Sequence, residues 1–225
     1  RPPRSTLFPY TTLFRSLLHG ISRTARSFRR MELALGDAGF ATLNLDYDSR
    51  RKALDALAED IHPAIDRFAE GLDGSVHFVC HSMGGLLARA YLARHRPAQL
   101  GRVVMLGTPN GGSEIADRLK NLAAYRAFFG SAGQQLVTRR DAATSALLPA
   151  IDYEAGIIAG NRSVYPITSM ALPRPHDGRV SVANTRLDGM ADHIVIRTSH
   201  PWLVRNREAI AQTIAFLREG RFNTP

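Results

Sequence analysis

The pentapeptide Cys80-His81-Ser82-Met83-Gly84 constrains the fold more than any other feature of this 225-residue chain. It follows a β-branched and aromatic run at residues 76–79 and opens a helical pattern at residues 86–92. A strand, an abrupt turn that carries a serine and then a helix form the context of a nucleophile elbow. Such a turn lifts the serine hydroxyl clear of the sheet and aims the next backbone N–H, that of Met83, at a reacting carbonyl.

The residues around Ser82 suit this turn. A serine hydroxyl is a weak nucleophile until a base removes its proton and an oxyanion hole receives the developing charge. Gly84 and Gly85 supply the small side chains needed where strand and helix approach closely. Cys80 stands where glycine is usual, and because cysteine is small and commonly buried, we expect the turn to form. The alternative is that a serine followed by two glycines only starts a helix.

The position of a base follows from chain order. In enzymes with this elbow the order is serine, then an acid, then histidine. His200 lies just beyond the apolar run 194–196 and ahead of a final helix at about 206–219, which is where such a base belongs. His193 is the alternative, although it begins the apolar run and its side chain should be fixed in the sheet.

The acid should lie on the preceding strand-to-helix loop. Asp177, followed by Gly178, fits that place, and its role would be to orient the imidazole and stabilise the imidazolium. Asp-Gly is also a common hairpin-turn dipeptide, so a purely structural turn is an alternative. Asp192 ranks second as the acid, and Asp188 is a further competitor.

A second oxyanion donor is expected near the beginning of the chain. The segment Leu17-Leu18-His19-Gly20-Ile21 is typical of a buried strand that ends in a tight glycine turn. The backbone N–H of Ile21 would then point at the site beside that of Met83. Two such donors are a usual complement of an oxyanion hole.

Together these motifs resemble small bacterial lipases and esterases of the α/β-hydrolase fold. The resemblance covers nearly all of residues 17–222 and includes Leu18-His19-Gly20, Cys80-His81-Ser82-Met83-Gly84-Gly85, Leu106-Gly107-Thr108-Pro109-Asn110-Gly111-Gly112, Asp177-Gly178 with Val180, and Ser199-His200. It implies a serine hydrolase of carboxylic esters, with no cofactor and no metal. The nucleophile, acid and base would be Ser82, Asp177 and His200, with Ile21 and Met83 as oxyanion donors. Acyl transfer or thioester hydrolysis through the same serine, and a catalytically inert binding scaffold, are the alternatives.

The apolar pattern predicts the same α/β fold independently. Six short strands are indicated at residues 17–18, 41–45, 76–80, 103–106, 156–159 and 193–197. One helix carries an apolar stripe at Leu54, Leu57, Ile61, Ile65 and Phe68, and a second is suggested less cleanly by Met31, Leu33, Leu35 and Phe40. Apolar strands that alternate with helices predict a mostly parallel sheet covered on both faces.

The domain organisation is expected to be simple. Residues 1–16 look like the conceptual translation of a sequencing adapter, and we interpret them as an artefactual segment that conceals any secretory signal. Residues 17–225 are then one α/β-hydrolase domain. The largest insertion, at about 111–155, is interpreted either as a cap or lid over the site or as ordinary covering helices.

Composition excludes several function classes. A single cysteine allows no internal disulfide, and no apolar run approaches the roughly 20 residues of a membrane span. The net charge of +9 comes from scattered arginines without a basic stripe or DNA-binding helix, so we expect no nucleic-acid partner. The expected partner is a small-molecule or lipid ester. The oligomeric state and the compartment stay open, with a cytoplasmic location slightly favoured.

Overall fold

Six parallel strands form one sheet in the order β2-β1-β3-β4-β5-β6. The computed structural model describes residues 14–70, 74–170 and 172–223. The strands are β1 (Phe14–Leu18), β2 (Ala41–Leu45), β3 (Val76–His81), β4 (Leu100–Leu106), β5 (Ala155–Gly160) and β6 (Asp192–Ile196). The α-helices are α1 (Arg29–Asp37), α2 (Leu54–Ala69), α3 (Met83–Arg94), α4 (Glu114–Leu119), α5 (Ala123–Gln134), α6 (Ala142–Ala146), α7 (Pro166–Ser169), α8 (Val182–Thr185) and α9 (Arg207–Glu219). Two 3₁₀ helices lie at Ala25–Phe28 and His200–Arg205.

The apolar core has two halves, one on each face of the sheet. Successive residues of a strand point to opposite faces, so Phe78 belongs to the cluster that contains α2 and α3, whereas Val79 belongs to the cluster that contains α1 and α9. The predicted α/β architecture, with six parallel strands and helices on both faces, is confirmed. Because all strands run in one direction, their carboxyl ends meet at a single edge of the sheet.

The helical stripes are confirmed for α2 and corrected for α1. In α2 four of the five predicted stripe residues are buried, and Phe68 in the last turn is half-buried; the four are Leu54, Leu57, Ile61 and Ile65. In α1, Met31 and Leu35 are buried, four residues apart on one face. Leu33 lies between them on the other side of the helix and is 52% exposed, so including it in the stripe was wrong.

Strand β1 begins inside residues 1–16, the segment that we interpret from the sequence as artefactual. Phe14, Arg15 and Ser16 precede Leu17 in this strand, which lies between β2 and β3, and residues 1–13 lie outside the described chain. Arg15 is completely buried, and its three guanidinium nitrogens have no hydrogen-bond partner within the described residues. Burial, assisted by the nearby positive charge of Arg218, lowers the pKa of Arg15 to about 8. A charge without a carboxylate partner is unusual in an interior strand.

Candidate active site

The predicted elbow forms at the end of β3. Ser82 joins β3 to α3 with φ 55° and ψ −126°, a backbone conformation that is costly for a residue with a side chain. Its backbone N–H is held by the carbonyl of Leu106 at 2.9 Å, which ties the turn to β4. Cys80 is wholly buried two residues before the turn, and burial raises the pKa of its thiol above the ordinary value. The thiol therefore stays protonated, and Ser82 is the nucleophile candidate of this turn.

Both glycines after Ser82 lie where a side chain would collide. A Cβ on Gly84 would lie 2.2 Å from the backbone oxygen of Leu18, and one on Gly85 would lie 2.1 Å from Oγ1 of Thr108. The first residues of α3 thus pack directly against the ends of β1 and β4. This is the close approach that the sequence predicts for these two positions.

The structure brings Ser82, His200 and Asp177 into one hydrogen-bonded series. Oγ of Ser82 lies 2.9 Å from Nε2 of His200, and Nδ1 of His200 lies 2.6 Å from Oδ2 of Asp177. With the proton on Nδ1, the imidazole donates to the carboxylate and accepts from the serine hydroxyl. Asp177 is completely inaccessible to solvent, and only 8% of Ser82 and of His200 is exposed. The arrangement allows Nε2 to remove the proton of Ser82.

The turn at Asp177 supports its carboxylate. Oδ1 accepts the backbone N–H groups of Arg179 and Val180 at 2.9 and 2.8 Å, which leaves Oδ2 for His200. The backbone N–H of His200 also donates to the carbonyl oxygen of Asp177 at 3.0 Å. A turn dipeptide and an acid are therefore compatible interpretations of this Asp-Gly pair, because the turn itself supplies the donors that orient the carboxylate.

The competing residues lie elsewhere. Asp192 accepts the backbone N–H groups of His193 and Phe222, and Nε2 of His193 lies 3.0 Å from Oγ1 of Thr185. Asp188 is exposed in a turn. Asp188, Asp192 and His193 are thus not among the residues that line the cavity at Ser82.

The two predicted oxyanion donors are Met83, which follows Ser82 in the chain, and Ile21, which follows the end of β1. Met83 is the first residue of α3, and an N–H in the first turn of a helix has no acceptor within that helix. Ile21 follows the end of β1 in a turn closed by the N–H of Arg23 on the carbonyl of Gly20 at 3.2 Å. Ile21 and Ser82 line the same cavity. The hydroxyl of Tyr47 donates to the carbonyl of His19 and fixes the strand end that precedes Ile21.

His81 is absent from the predicted site residues, yet it lines the cavity beside Ser82. Its Nε2 lies 3.0 Å from the carbonyl oxygen of His200, and the two imidazole rings are 4.8 Å apart. Burial, followed by the charge of His200, keeps the pKa of His81 well below its ordinary value, so the ring is neutral. In that state Nε2 carries a proton and donates to the carbonyl. Its place directly before the serine of the elbow was the available sequence signal.

The cavity at Ser82 has a volume of about 180 Å³ and one largely apolar wall. The insertion after β4 supplies that wall through α4 and α5, with Ile115, Ala116, Tyr125, Phe128 and Phe129 as lining residues. The rings of Phe128 and Phe129 meet edge to face with centroids 4.8 Å apart. The loop before α2 holds α5 in place, because Nε of Arg50 donates to the carbonyl of Phe128 at 2.8 Å.

Two further features of the described chain concern metals and membranes. Across residues 14–70, 74–170 and 172–223, no cluster of His, Cys, Asp and Glu has the arrangement of a metal site. Over the same ranges, each helix is too short or too polar to span a bilayer.

Comparison with known proteins extends these observations. Mature Bacillus licheniformis lipase BlEst2 is 19% identical with a TM-score of 0.73, and the match covers 97% of this chain and 95% of that one. The metagenomic carboxyl esterase MGS0156 is 16% identical with a TM-score of 0.64, covering 88% and 68%. Phospholipase PlaB from Legionella pneumophila is 16% identical with a TM-score of 0.67, covering 92% and 62%. At these identities the likeness shows a shared fold. Residues 17–214 match the model of the Alpha/beta hydrolase family, and because this is most of the chain, the protein belongs to that family.

Proposed function

We propose that this protein is a serine hydrolase that cleaves carboxylic esters through an acyl-enzyme on Ser82. The observation that carries the proposal is the unbroken series of hydrogen bonds from Ser82 through His200 to Asp177 at a strained strand-to-helix turn. The names of similar proteins, which include a lipase and a carboxyl esterase, agree with this chemistry.

The acylation step uses the buried series directly. Nε2 of His200 takes the proton of Ser82 as Oγ attacks the ester carbonyl, and the carbonyl π electrons move onto oxygen. The N–H groups of Ile21 and Met83 hold this oxyanion, and losing one such donor typically costs roughly 10² to 10³ in rate. The carboxylate of Asp177 orients the imidazole and stabilises the imidazolium.

Collapse of the tetrahedral intermediate completes the first half of the reaction. The bond to the alcohol oxygen breaks, and His200 gives its proton to that leaving oxygen. A water molecule then attacks the acyl-enzyme, with His200 again as base, and the carboxylic acid leaves as Ser82 regains its proton. The cycle needs no metal or cofactor.

The apolar wall at α5 is proposed to hold the acyl chain, in the role of a cap. Ligand pockets for drug-sized molecules usually exceed roughly 300 Å³, so a cavity of about 180 Å³ favours short acyl groups. Replacing Phe128 and Phe129 together by alanine should change the acyl-length preference more than the free energy of unfolding. A graded series of nitrophenyl esters measures the preference, and unchanged selectivity would refute this role of α5.

The first experiment is labelling with a fluorophosphonate probe followed by peptide mass mapping. An adduct on Ser82 that is lost in His200→Ala is expected, and the exposed Ser145→Ala variant is the matched control that keeps its label. Ser82→Ala and His200→Ala should each remove nearly all ester turnover while circular dichroism stays unchanged. Substantial residual turnover in either variant would contradict the proposal.

Two alternatives are separated by the same samples. A labelled protein that releases product only when an acceptor alcohol or a thioester is supplied would be an acyltransferase or thioesterase with the same nucleophile. A folded protein without any adduct would be an inert scaffold of this family.

A further inference from the structure

A second cavity, of about 470 Å³, lies directly beside the proposed catalytic cavity. Residues of two segments, 22–27 and 201–205, form its walls, and we call it the arginine groove. Ser22, Arg23 and Pro201 line both cavities, so the two spaces adjoin at these residues. One segment follows the proposed oxyanion donor Ile21, and the other follows His200.

The charges of the arginine groove are all positive. Arg23, Arg26 and Arg205 line it, and the lining includes no carboxylate. Within the described chain none of the three arginines takes part in an ion pair. Asp46, near the same loop, is not a lining residue and accepts the backbone N–H of Ala25 at 2.7 Å. Like charges that share a groove repel one another, so an anion bound there would remove an unfavourable interaction.

A residue with a strained backbone and a buried hydroxyl lies where the two cavities adjoin. Oγ of Ser22 is inaccessible to solvent and has no hydrogen-bond partner among the described residues. Ser22 is held at φ 56°, in the left-handed region that is costly for serine, and its backbone N–H donates to Oγ of Ser49 at 3.1 Å. The backbone of Ser22 is therefore fixed at the junction of the two cavities.

The proton transfer from His200 to the leaving oxygen places the alcohol part of an ester on the side of the catalytic cavity that borders the arginine groove. His200 gives its proton to the leaving oxygen, so the leaving group must lie beside the imidazole. Pro201 follows His200 directly and continues into the arginine groove. Residues of α4 and α5 give the catalytic cavity a separate apolar wall, which suits the acyl part.

We propose that the arginine groove binds a phosphate group carried by the leaving alcohol, so that the preferred substrates are esters of phosphorylated alcohols. This inference rests on the proposed esterase function. Phosphate matches the groove because guanidinium groups bind its oxygens in bidentate pairs, and a dianion balances several arginines better than one carboxylate does. The phosphate can belong to a soluble alcohol or to a lipid headgroup, and both present the same chemistry to the groove.

Binding is tested first without catalysis, on the Ser82→Ala variant. Trp202 is the only tryptophan of the chain, lines the groove and is 54% exposed, so its fluorescence reports on occupancy. Glycerol 3-phosphate should change this fluorescence saturably, and glycerol should not. Arg26→Gln/Arg205→Gln should weaken binding at least tenfold, whereas Arg30→Gln, an exposed arginine on α1, should leave it unchanged.

Vesicles distinguish the two sources of phosphate. A response to phosphatidic acid in phosphatidylcholine vesicles, but none to glycerol 3-phosphate, would support the proposal with a lipid headgroup as the source. A response to glycerol 3-phosphate supports a soluble alcohol. If neither probe responds, or if Arg26→Gln/Arg205→Gln responds like the parent, the groove does not bind phosphate and the proposal is overturned.

Turnover then tests specificity on a matched pair of substrates. The value of kcat/KM for 1-butyryl-glycerol 3-phosphate should exceed that for 1-butyrylglycerol at least tenfold in the parent protein. The ratio should fall towards one in Arg26→Gln/Arg205→Gln and persist in Arg30→Gln. Equal values in the parent overturn the phosphate preference while leaving the esterase intact. Absence of turnover on both esters, with phosphate binding retained in the fluorescence titration, would instead overturn the esterase.

Discussion

Replacing Arg15 by leucine should stabilise this protein. Arg15 lies in strand β1 between its register partners Thr42 of β2 and His77 of β3, and no part of it reaches solvent. The guanidinium carbon lies 2.9 Å from the centroid of the Phe40 ring, and the charge that further lowers its pKa, on Arg218, is also positive. Leucine would occupy the same interior position without a charge to desolvate.

The size of the effect follows from the pKa. A fall in the pKa of Arg15 from 12.5 to about 8 means that folding disfavours its charged form by about 6 kcal/mol, at about 1.4 kcal/mol per pH unit. Exchange of a buried ion pair for apolar residues often stabilises by about 1 to 4 kcal/mol, and among the described residues Arg15 has no carboxylate whose attraction offsets its desolvation. We therefore expect Arg15→Leu to raise the free energy of unfolding by at least about 2 kcal/mol at pH 7. For a chain of this size that corresponds to about 4 °C or more in Tm.

The stabilisation by Arg15→Leu should decrease as the pH rises. Between pH 8 and 12.5 the unfolded chain binds the Arg15 proton and the folded chain does not, so this residue makes the parent more stable as pH rises. The advantage of Arg15→Leu should therefore be complete at pH 7 and smaller by about 3 kcal/mol at pH 10, two pH units above the pKa of Arg15 in the folded chain. Urea denaturation followed by Trp202 fluorescence at both pH values measures it. Arg30→Leu, at an exposed position, is the control and should stay within about 0.5 kcal/mol of the parent.

A neutral or destabilising Arg15→Leu, or an advantage that does not change with pH, would refute this reasoning. The guanidinium would then have a compensating partner. A stabilised variant would agree with the interpretation of residues 1–16 as foreign to this fold, because a strand native to the sheet would be matched to the core that surrounds it.

Two further predictions use matched pairs of positions. Asp177→Asn should lower kcat by about 10⁴, because it permits the wrong imidazole tautomer, whereas Asp192→Asn should keep most of the activity. Steady-state kinetics on one ester measures both variants, and the reverse pattern would mean that Asp192 is the acid. Gly84→Ala should destabilise the fold by several kcal/mol or prevent soluble expression, since its Cβ would lie 2.2 Å from a backbone oxygen. Gly36→Ala, in α1 with open space around it, should instead stabilise by up to about 1 kcal/mol, as thermal denaturation would show.

The features that the sequence predicts well are those whose cause is local. The turn at Ser82 needs an apolar strand before it and two small residues after it, and all of these lie within ten positions of the chain. The stripe of α2 is equally local, because its period alone decides which side is buried. Leu33 was wrongly included in the stripe of α1. This helix has only nine residues, and it packs against the sheet through two buried residues, Met31 and Leu35.

The features that sequence reasoning missed depend on which loops meet at the sheet edge. Arg23 and Arg205 are separated by most of the chain, and neither stands out in a protein with 29 basic residues. They meet because each follows a strand end in a parallel sheet, and parallel strands place their carboxyl ends together. The same convergence of strand ends allowed chain order to locate His200. It predicts which loops lie near one another, but not which charged side chains in those loops lack ion-pair partners.

The segment after β4 shows why its two interpretations, cap and covering helix, do not exclude each other. Within α5, Phe129 packs against the core cluster that contains α2 and α3, whereas Phe128 is 49% exposed and both rings line the cavity. Gly130 breaks the helix at φ 57°, and a Cβ there would lie 1.6 Å from the carbonyl oxygen of Arg50. The same helix is therefore pressed onto the body of the protein at Gly130, while Phe128, two residues earlier, lines the cavity. A hydrophobic pattern alone cannot distinguish these faces, because apolar residues serve packing and acyl binding equally well.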